Sequence, residues 1–483
     1  MSEKLSRRKF LRVAAVGAGA LLAASCQPKV VEVEKIVKET VVKEVEKVVE
    51  VEKVVKETVI VAGTPKVVEK VVKEVVEKVV KEVIPLITWL QGDPLAESPY
   101  NDVRNEFIAM FEEENPGIKL QLEGCSERID EKVLLSVKAA NPPDLTMVSA
   151  QMREAHVQAG TLRNLESYMD GEDRTWVDDL PAIHTANATS TVDGKIYCIL
   201  LSLHSRIVYY RTDMCPSTPE CWDDIVSFGK AVRDPDKGIW GYNFFGNKPW
   251  SVEVEFGPYV WMQGANTCEP DGRATFATDA MEVAIAFHRD LLHVHKISSM
   301  ANVTSGFGDM WAQFQAGQVA MCVQGTYGFP IGVKEDMKEL WEEGKVWAAP
   351  IPAKERGGNS ANFANGWAWA IPKGSENAEA AWKFIRFHSR PEIQLLHSEV
   401  EGGAPITKSA WKDAKLYSDK MWGDVFMPNL ENWGRPMDPY VFYMEELTAL
   451  GEAIEESLID ENSDIMGILE KAEQAFNKKY YPA

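Results

Sequence analysis

Three sets of side chains in this 483-residue chain have the type and spacing for chemistry. The first is a thiol, Cys26, directly after Ala23-Ala24-Ser25. Small residues before a cysteine suit a peptidase cleavage site. The second is a histidine group, His288, His293 and His295, which suggests metal binding. Residues two apart on a helix point in different directions, however, so ordinary surface or interface histidines fit the group better. The third is a large supply of carboxylates, from which pairs for glycoside hydrolysis could be drawn. With so many acids, candidate pairs arise by number alone and decide nothing. The chain has no G-x-S-x-G elbow, no H-E-x-x-H and no P-loop.

Cys26 gains meaning from what precedes it. Ser6-Arg7-Arg8-Lys9-Phe10-Leu11 sets paired arginines before an apolar run, Val13 to Ala24, too short for the roughly 20 residues of a spanning helix. The arginine pair resembles a twin-arginine export signal. The small residues before Cys26 resemble a bacterial lipobox, with Ala23 where leucine is usual. Residues 1–25 are therefore expected to be a removed signal. Lipidated Cys26 would hold the mature chain outside the cytoplasmic membrane; general secretory export remains the alternative to the twin-arginine route.

The formal net charge of −21 is unevenly distributed. Residues 27–84 carry 12 lysines and 12 glutamates, while residues 85–483 carry 35 basic and 60 acidic residues. An acidic globular part argues against a nucleic-acid partner, because phosphate neutralisation needs clustered Lys and Arg. Six cysteines besides Cys26 leave disulfides and buried free thiols both open; Cys215 and Cys221 flank a turn-rich loop that a disulfide could close.

Residues 26–84 form a low-complexity stalk rich in Val, Glu and Lys. Residues 31–41 and 49–59 match at all positions but one, Ile36 against Val54. The 18-residue offset equals five helical turns, and Val pairs recur every four residues after Ala62-Gly63-Thr64-Pro65. These spacings predict a semi-rigid helical stalk, with a disordered tether as the alternative.

From Pro85 the pattern changes. Strands are expected at Leu86–Leu90, Ile118–Leu122 and Leu145–Val148, with helices over 101–115 and 127–140 between them. This βαβαβ order implies an α/β fold with a largely parallel sheet. Later strands fit 196–201, 207–210, 319–323, 347–349 and 367–371. Long helices fit 279–292, 378–387 and 441–458.

Six phrases in order make a family visible. They are Glu112 to Ile118; Pro143-Asp144 with Gly160-Thr161-Leu162; and Asp193-Gly194-Lys195-Ile196-Tyr197 with Tyr209-Tyr210 and Cys221-Trp222-Asp223-Asp224. The others are Phe314 to Met321 with Gly325, Gly366 to Lys373, and Ala380 to Ile385. Over residues 85–483 the chain resembles family 1 of the extracellular solute-binding proteins, the large sugar-type binding proteins of ABC importers. It departs from the pattern at Tyr210-Arg211 and Cys221-Trp222.

The resemblance implies a two-lobed periplasmic-binding-protein-like fold with a ligand cleft between the lobes. Lobe 1 would take 85–203 and 349–405, and lobe 2 would take 204–348 and 406–483. It also implies a monomer without cofactor or catalysis, partnered by permease subunits. Carried over by position, the ligand residues are Gln91, Asp93, Ser149, Gln151, His204, Tyr327, Asn365, Trp367, Trp433 and Arg435. Trp250 and Glu253 are added from a stretch between the matched phrases. All 15 tryptophans lie at or after Trp89, and sugar C–H groups suit the negative face of an aromatic ring. Trp89, Trp369 and Trp382 are expected in the core, Trp367 fits core or site, and Asp93 also fits a turn or helix cap. The competing functions are a lipid-anchored glycoside hydrolase, and a polyamine, betaine or peptide binder on the same scaffold.

Overall fold

A computed structural model describes residues 45–61, 64–80, 83–125, 128–170, 174–437 and 440–482. The signal and Cys26 lie outside the described residues. The chain divides into two compact units, one ending at Glu82 and one starting at Val83.

In the first unit, β1 (Val45–Val61) and β2 (Thr64–Val80) pair antiparallel along their whole length, from Val61 opposite Thr64 to Val45 opposite Val80. The helical stalk reading is corrected here to a strand ribbon. A four-residue valine repeat lies close to the helix period but is also twice the strand period. Valine favours the strand because its branched Cβ restricts χ1 on a helix.

The second unit holds two sheets. Their strands are β3 (Ile84–Gln91), β4 (Ile118–Cys125), β5 (Leu145–Ser149), β6 (Ile199–Leu200), β7 (His204–Arg211) and β8 (Trp240–Asn243), followed by β9 (Val319–Gly325), β10 (Val346–Ala349), β11 (Asn362–Asn365), β12 (Trp367–Ala370) and β13 (Gly434–Arg435). The first sheet runs β4-β3-β5-β12-β6, and β4, β3 and β5 are parallel, as the βαβαβ pattern requires. The second runs β13-β11-β7-β9-β8, with β10 also on β7.

Strand alternation builds the cores. Along β7, Ile207 and Tyr209 join the hydrophobic core that contains the first sheet, while Val208 and Tyr210 join the other. The helix Pro99–Glu114 covers the first sheet through Phe107 and Phe111. It starts at Ser98, whose side chain accepts from the Asn101 N–H. Truncating either buried phenylalanine should cost about 3–5 kcal/mol.

The chain passes between the sheets at 201–203, joining β6 to β7, and again at Gly366, joining β11 to β12. A Cβ on Gly366 would lie 2.5 Å from the Ser202 carbonyl oxygen, so the two crossing segments touch only because this residue is glycine. The expected lobe boundary at 349 therefore moves: β10 and β11 belong to the second sheet, and the return crossing comes at Gly366. No disulfide closes the Cys215–Cys221 loop; Cys125, Cys198, Cys215, Cys221, Cys268 and Cys322 are all free.

Candidate functional site

Sheet register decides which side chains can meet. Trp367 opposes Ser149, so the start of β12 and the end of β5 share one edge of the first sheet, and the end of β3 at Gln91 is a further parallel strand terminus there. In the second sheet Asn365 opposes His204 and Gly325 opposes Arg206. The two crossings join these edges, so the strand ends of both sheets converge. Such ends are where open α/β sheets place ligands.

At the centre stands Glu253, in the π-helical turn Val252–Phe256 and 2% exposed. The Gln151 amide, in the 3-10 turn Ala150–Met152 after β5, donates to Glu253 Oε1 at 3.3 Å. The Asn365 amide, at the end of β11, donates to the same oxygen at 3.3 Å. One carboxylate thus receives donors from the margins of both sheets. Burial pushes its carboxyl up to about 7, against the smaller opposing pull of Arg206, Gln151 and Asn365.

Arg206 supplies the opposite charge. Its guanidinium donates to Tyr327 Oη at 2.7 Å and lies 5.3–5.5 Å from the ring centres of Phe307, Tyr327 and Phe363. A Cβ on Gly325 would fall 2.1 Å from the Tyr327 ring, so glycine gives that ring its place. Arg435, 4.8 Å from the Trp261 ring centre, donates to Asn266 Oδ1 at 2.8 Å.

Gln151, Tyr327 and Asn365 are therefore brought together around Glu253 and Arg206. Trp367 is half-buried at the first-sheet edge and packs partly on the core. Trp433 ends the helix Met427–Trp433 beside Arg435 and is half-buried, while Trp250 is 39% exposed.

Two expected ligand residues, Ser149 and Asp93, are engaged elsewhere, and a third, Gln91, stays apart. The Ser149 hydroxyl donates to Asp130 Oδ2 at 2.9 Å, and Asp130 also contacts His156 at 3.0 Å, a buried cluster inside the first sheet's layer. Asp93 is a turn acid, accepting from the Leu95 N–H at 2.9 Å. Gln91 and Asp93 are exposed, and no hydrogen bond joins either side chain to Glu253.

His204 belongs to a second polar cluster at the crossing. Its Nε2 lies 3.1 Å from Ser202 Oγ and 3.1 Å from Glu401 Oε1, while His397 Nε2 lies 3.6 Å from Glu401 Oε2. The His204 ring meets Tyr327 edge-on at 5.4 Å, so this cluster abuts the site.

The histidines 288, 293 and 295 do not form a metal centre: His288 is buried against Glu255 and the Ala284 carbonyl, and His293 meets the Leu458 carbonyl. Among the described residues no group of three or more metal-ligating side chains is placed to hold an ion.

Sequence reasoning missed Arg206, although strand alternation puts it on the same face as His204, two residues earlier. It also missed Phe307, Phe363 and Glu401, which no spacing links to the site.

Residues 106–422 match the family described as bacterial extracellular solute-binding protein. A putative binding protein of Brucella abortus is 25% identical over 312 residues, 62% of this chain and 72% of that protein. A maltooligosaccharide ABC transporter solute-binding lipoprotein of Streptococcus pneumoniae is 23% identical over 353 residues, 69% of this chain and 78% of that protein. Among solved structures, an ABC transporter solute-binding protein of Thermotoga lettingae bound with alpha-D-tagatose superposes with a TM-score of 0.71 at 20% identity, covering 82% of this chain and 99% of that one. The two sheets with their crossings are thus the two-lobed architecture of these proteins, and the chain belongs to the bacterial extracellular solute-binding protein family.

Proposed function

We propose that the chain captures a neutral sugar or short oligosaccharide between its two sheets and delivers it to the permease subunits of an ABC importer, without catalysing a reaction. The observation that carries the ligand class is the pairing of opposite charges on neutral partners. Glu253 is held by two amides, and Arg206 by a phenol and three rings. Sugar hydroxyls both donate and accept, so one ring can satisfy a carboxylate and a guanidinium together. A polyamine would set cations beside Arg206, and a betaine has no hydroxyl for Glu253. The rings of Trp261, Phe307 and Trp367 supply faces for sugar C–H groups. The relatives' own ligands, maltooligosaccharide and tagatose, fall in the same class.

A thermal-shift and calorimetric screen over maltotriose, tagatose, spermidine and glycine betaine tests this. A sugar at 100 times its Kd should stabilise the protein by about 2.7 kcal/mol. Stabilisation by spermidine or betaine alone would overturn the ligand class, and released cleavage products would make the chain an enzyme.

The same proposal places the mature chain outside the cytoplasmic membrane on lipidated Cys26. The Cys26→Ala variant should lose label in membrane fractions fed a radioactive fatty acid. Label that persists removes the anchor.

A further inference from the structure

Glu253 is a buried carboxylate without a cation. Its hydrogen-bond partners are two neutral amides, both on Oε1 at 3.3 Å, with Oε2 reached by Gln151 at 3.5 Å. Arg206, whose charge pulls against the burial of Glu253, donates its hydrogen bond to Tyr327 instead. Burying an ionised carboxylate on such weak support is costly, and proteins relieve that cost by adding a proton.

The surroundings offer no other relief. Glu255, two residues on, turns away to accept from Tyr242 at 2.8 Å and to meet His288 at 3.3 Å. On the helix Tyr443–Ile459, packed against the same turn, Glu455 pairs with Lys248 at 2.8 Å. Glu446 on that helix is itself pushed up to about 8 by burial. A ligand that brings hydroxyl donors changes the balance at Glu253, because each new donor favours the ionised form.

We propose that Glu253 couples ligand capture to proton release: the unliganded site holds the carboxyl partly protonated, and the bound ligand holds it ionised. The O–H bond of the carboxyl breaks, the proton passes to water or buffer, and both carboxylate oxygens then accept from ligand hydroxyls. This rests on the sugar-binding reading and deepens it. Affinity should rise with pH as ligand-free Glu253 loses its proton. With the free carboxyl near 7, the gain between pH 6 and pH 8 should be about tenfold.

Two arms on the full mature chain test the coupling. In the first, maltotriose is titrated at pH 7 in phosphate and in Tris, which differ in ionisation heat. Unequal apparent enthalpies, lost in Glu253→Gln, are expected; equal enthalpies in the native protein overturn the coupling. A native protein that gives no heat with any sugar refutes the sugar-binding reading instead.

The second arm needs no ligand. A carboxyl raised above its unfolded value of roughly 4.3 stabilises the fold fully below that pH, and the contribution is lost as pH rises through about 7. Between pH 5 and pH 8 the native apo melting temperature should therefore fall relative to that of Glu253→Gln. Parallel pH curves for the two proteins overturn the proton on Glu253, whatever the ligand proves to be.

Discussion

Glu253 and Glu401 are two carboxylates in neighbouring polar clusters, and their surroundings treat them oppositely. At the crossing, burial alone would raise Glu401, but His397 and His204, with hydrogen bonds from His204 and Ser202, hold it well below the usual carboxylate range. In the site, burial outweighs the pull of Arg206 and the two amides on Glu253. The difference lies in the partners, imidazoles in one case and amides in the other. One region surrounds its carboxylate with imidazoles and a hydroxyl; the other surrounds it with neutral amides that a ligand's hydroxyls can supplement. That contrast predicts that crossing variants will change stability first and site variants will change affinity first.

The largest effect should come from Glu401→Ala. Removing the shared carboxylate takes the acceptor from Ser202, His204 and His397, a cost of about 1–3 kcal/mol. Its folded pKa is depressed, so the native contribution is present above the unfolded value near 4.3 and is lost as pH falls below it. The gap between native and variant melts should narrow as pH falls below about 4, without closing by pH 3. A variant gap that stays constant down to that pH would break the comparison.

Trp367→Ala should show the reverse pattern. Its half-buried place at the sheet edge predicts a tenfold or greater loss of ligand affinity, about 1.4 kcal/mol or more, with only a small change in apo melting. A collapsed apo melt with near-native affinity would make it a core residue like Trp369, which is 3% exposed and packs on Phe384 at 5.4 Å.

The smallest effect sharpens the boundary of the site. Ser149→Ala should cost about 1 kcal/mol of stability through the lost Asp130 hydrogen bond and leave affinity within twofold. A large affinity loss measured by calorimetry would return Ser149 to the site.

How much of this was legible in sequence depended on whether a feature is local. The parallel start of the first sheet was readable because alternating Ile118, Leu120 and Leu122, and helix stops such as Pro116-Gly117, encode elements within a few residues. Tyr327 and Asn365 could be placed because each sits at a fixed offset from a strong phrase. Glu253 fell between phrases, and its importance comes from Gln151 and Asn365, more than a hundred residues away on either side. Glu401 is hidden for the same reason, since its partner His204 lies far off in the chain. The Ser149 reading failed because a hydroxyl at a strand end can face the cleft or its own layer, and only the position of Asp130 decides between them. In the valine tract, a four-residue repeat is compatible with both helix and strand, so periodicity alone could not choose.

The ribbon of β1 and β2 also has a mechanical meaning. Because Val45 pairs with Val80, the chain leaves and returns at one end, and two 17-residue strands add almost no separation between the residues before and after them. Paired strands lie only about 5 Å apart, yet the same residues pulled straight would span on the order of 100 Å. A load applied across Val45 and Val80 acts at the open end of the hairpin, where ladder pairs break one after another rather than all at once. The tract thus stores chain length: its two ends are neighbours while the ladder holds and move far apart once it opens.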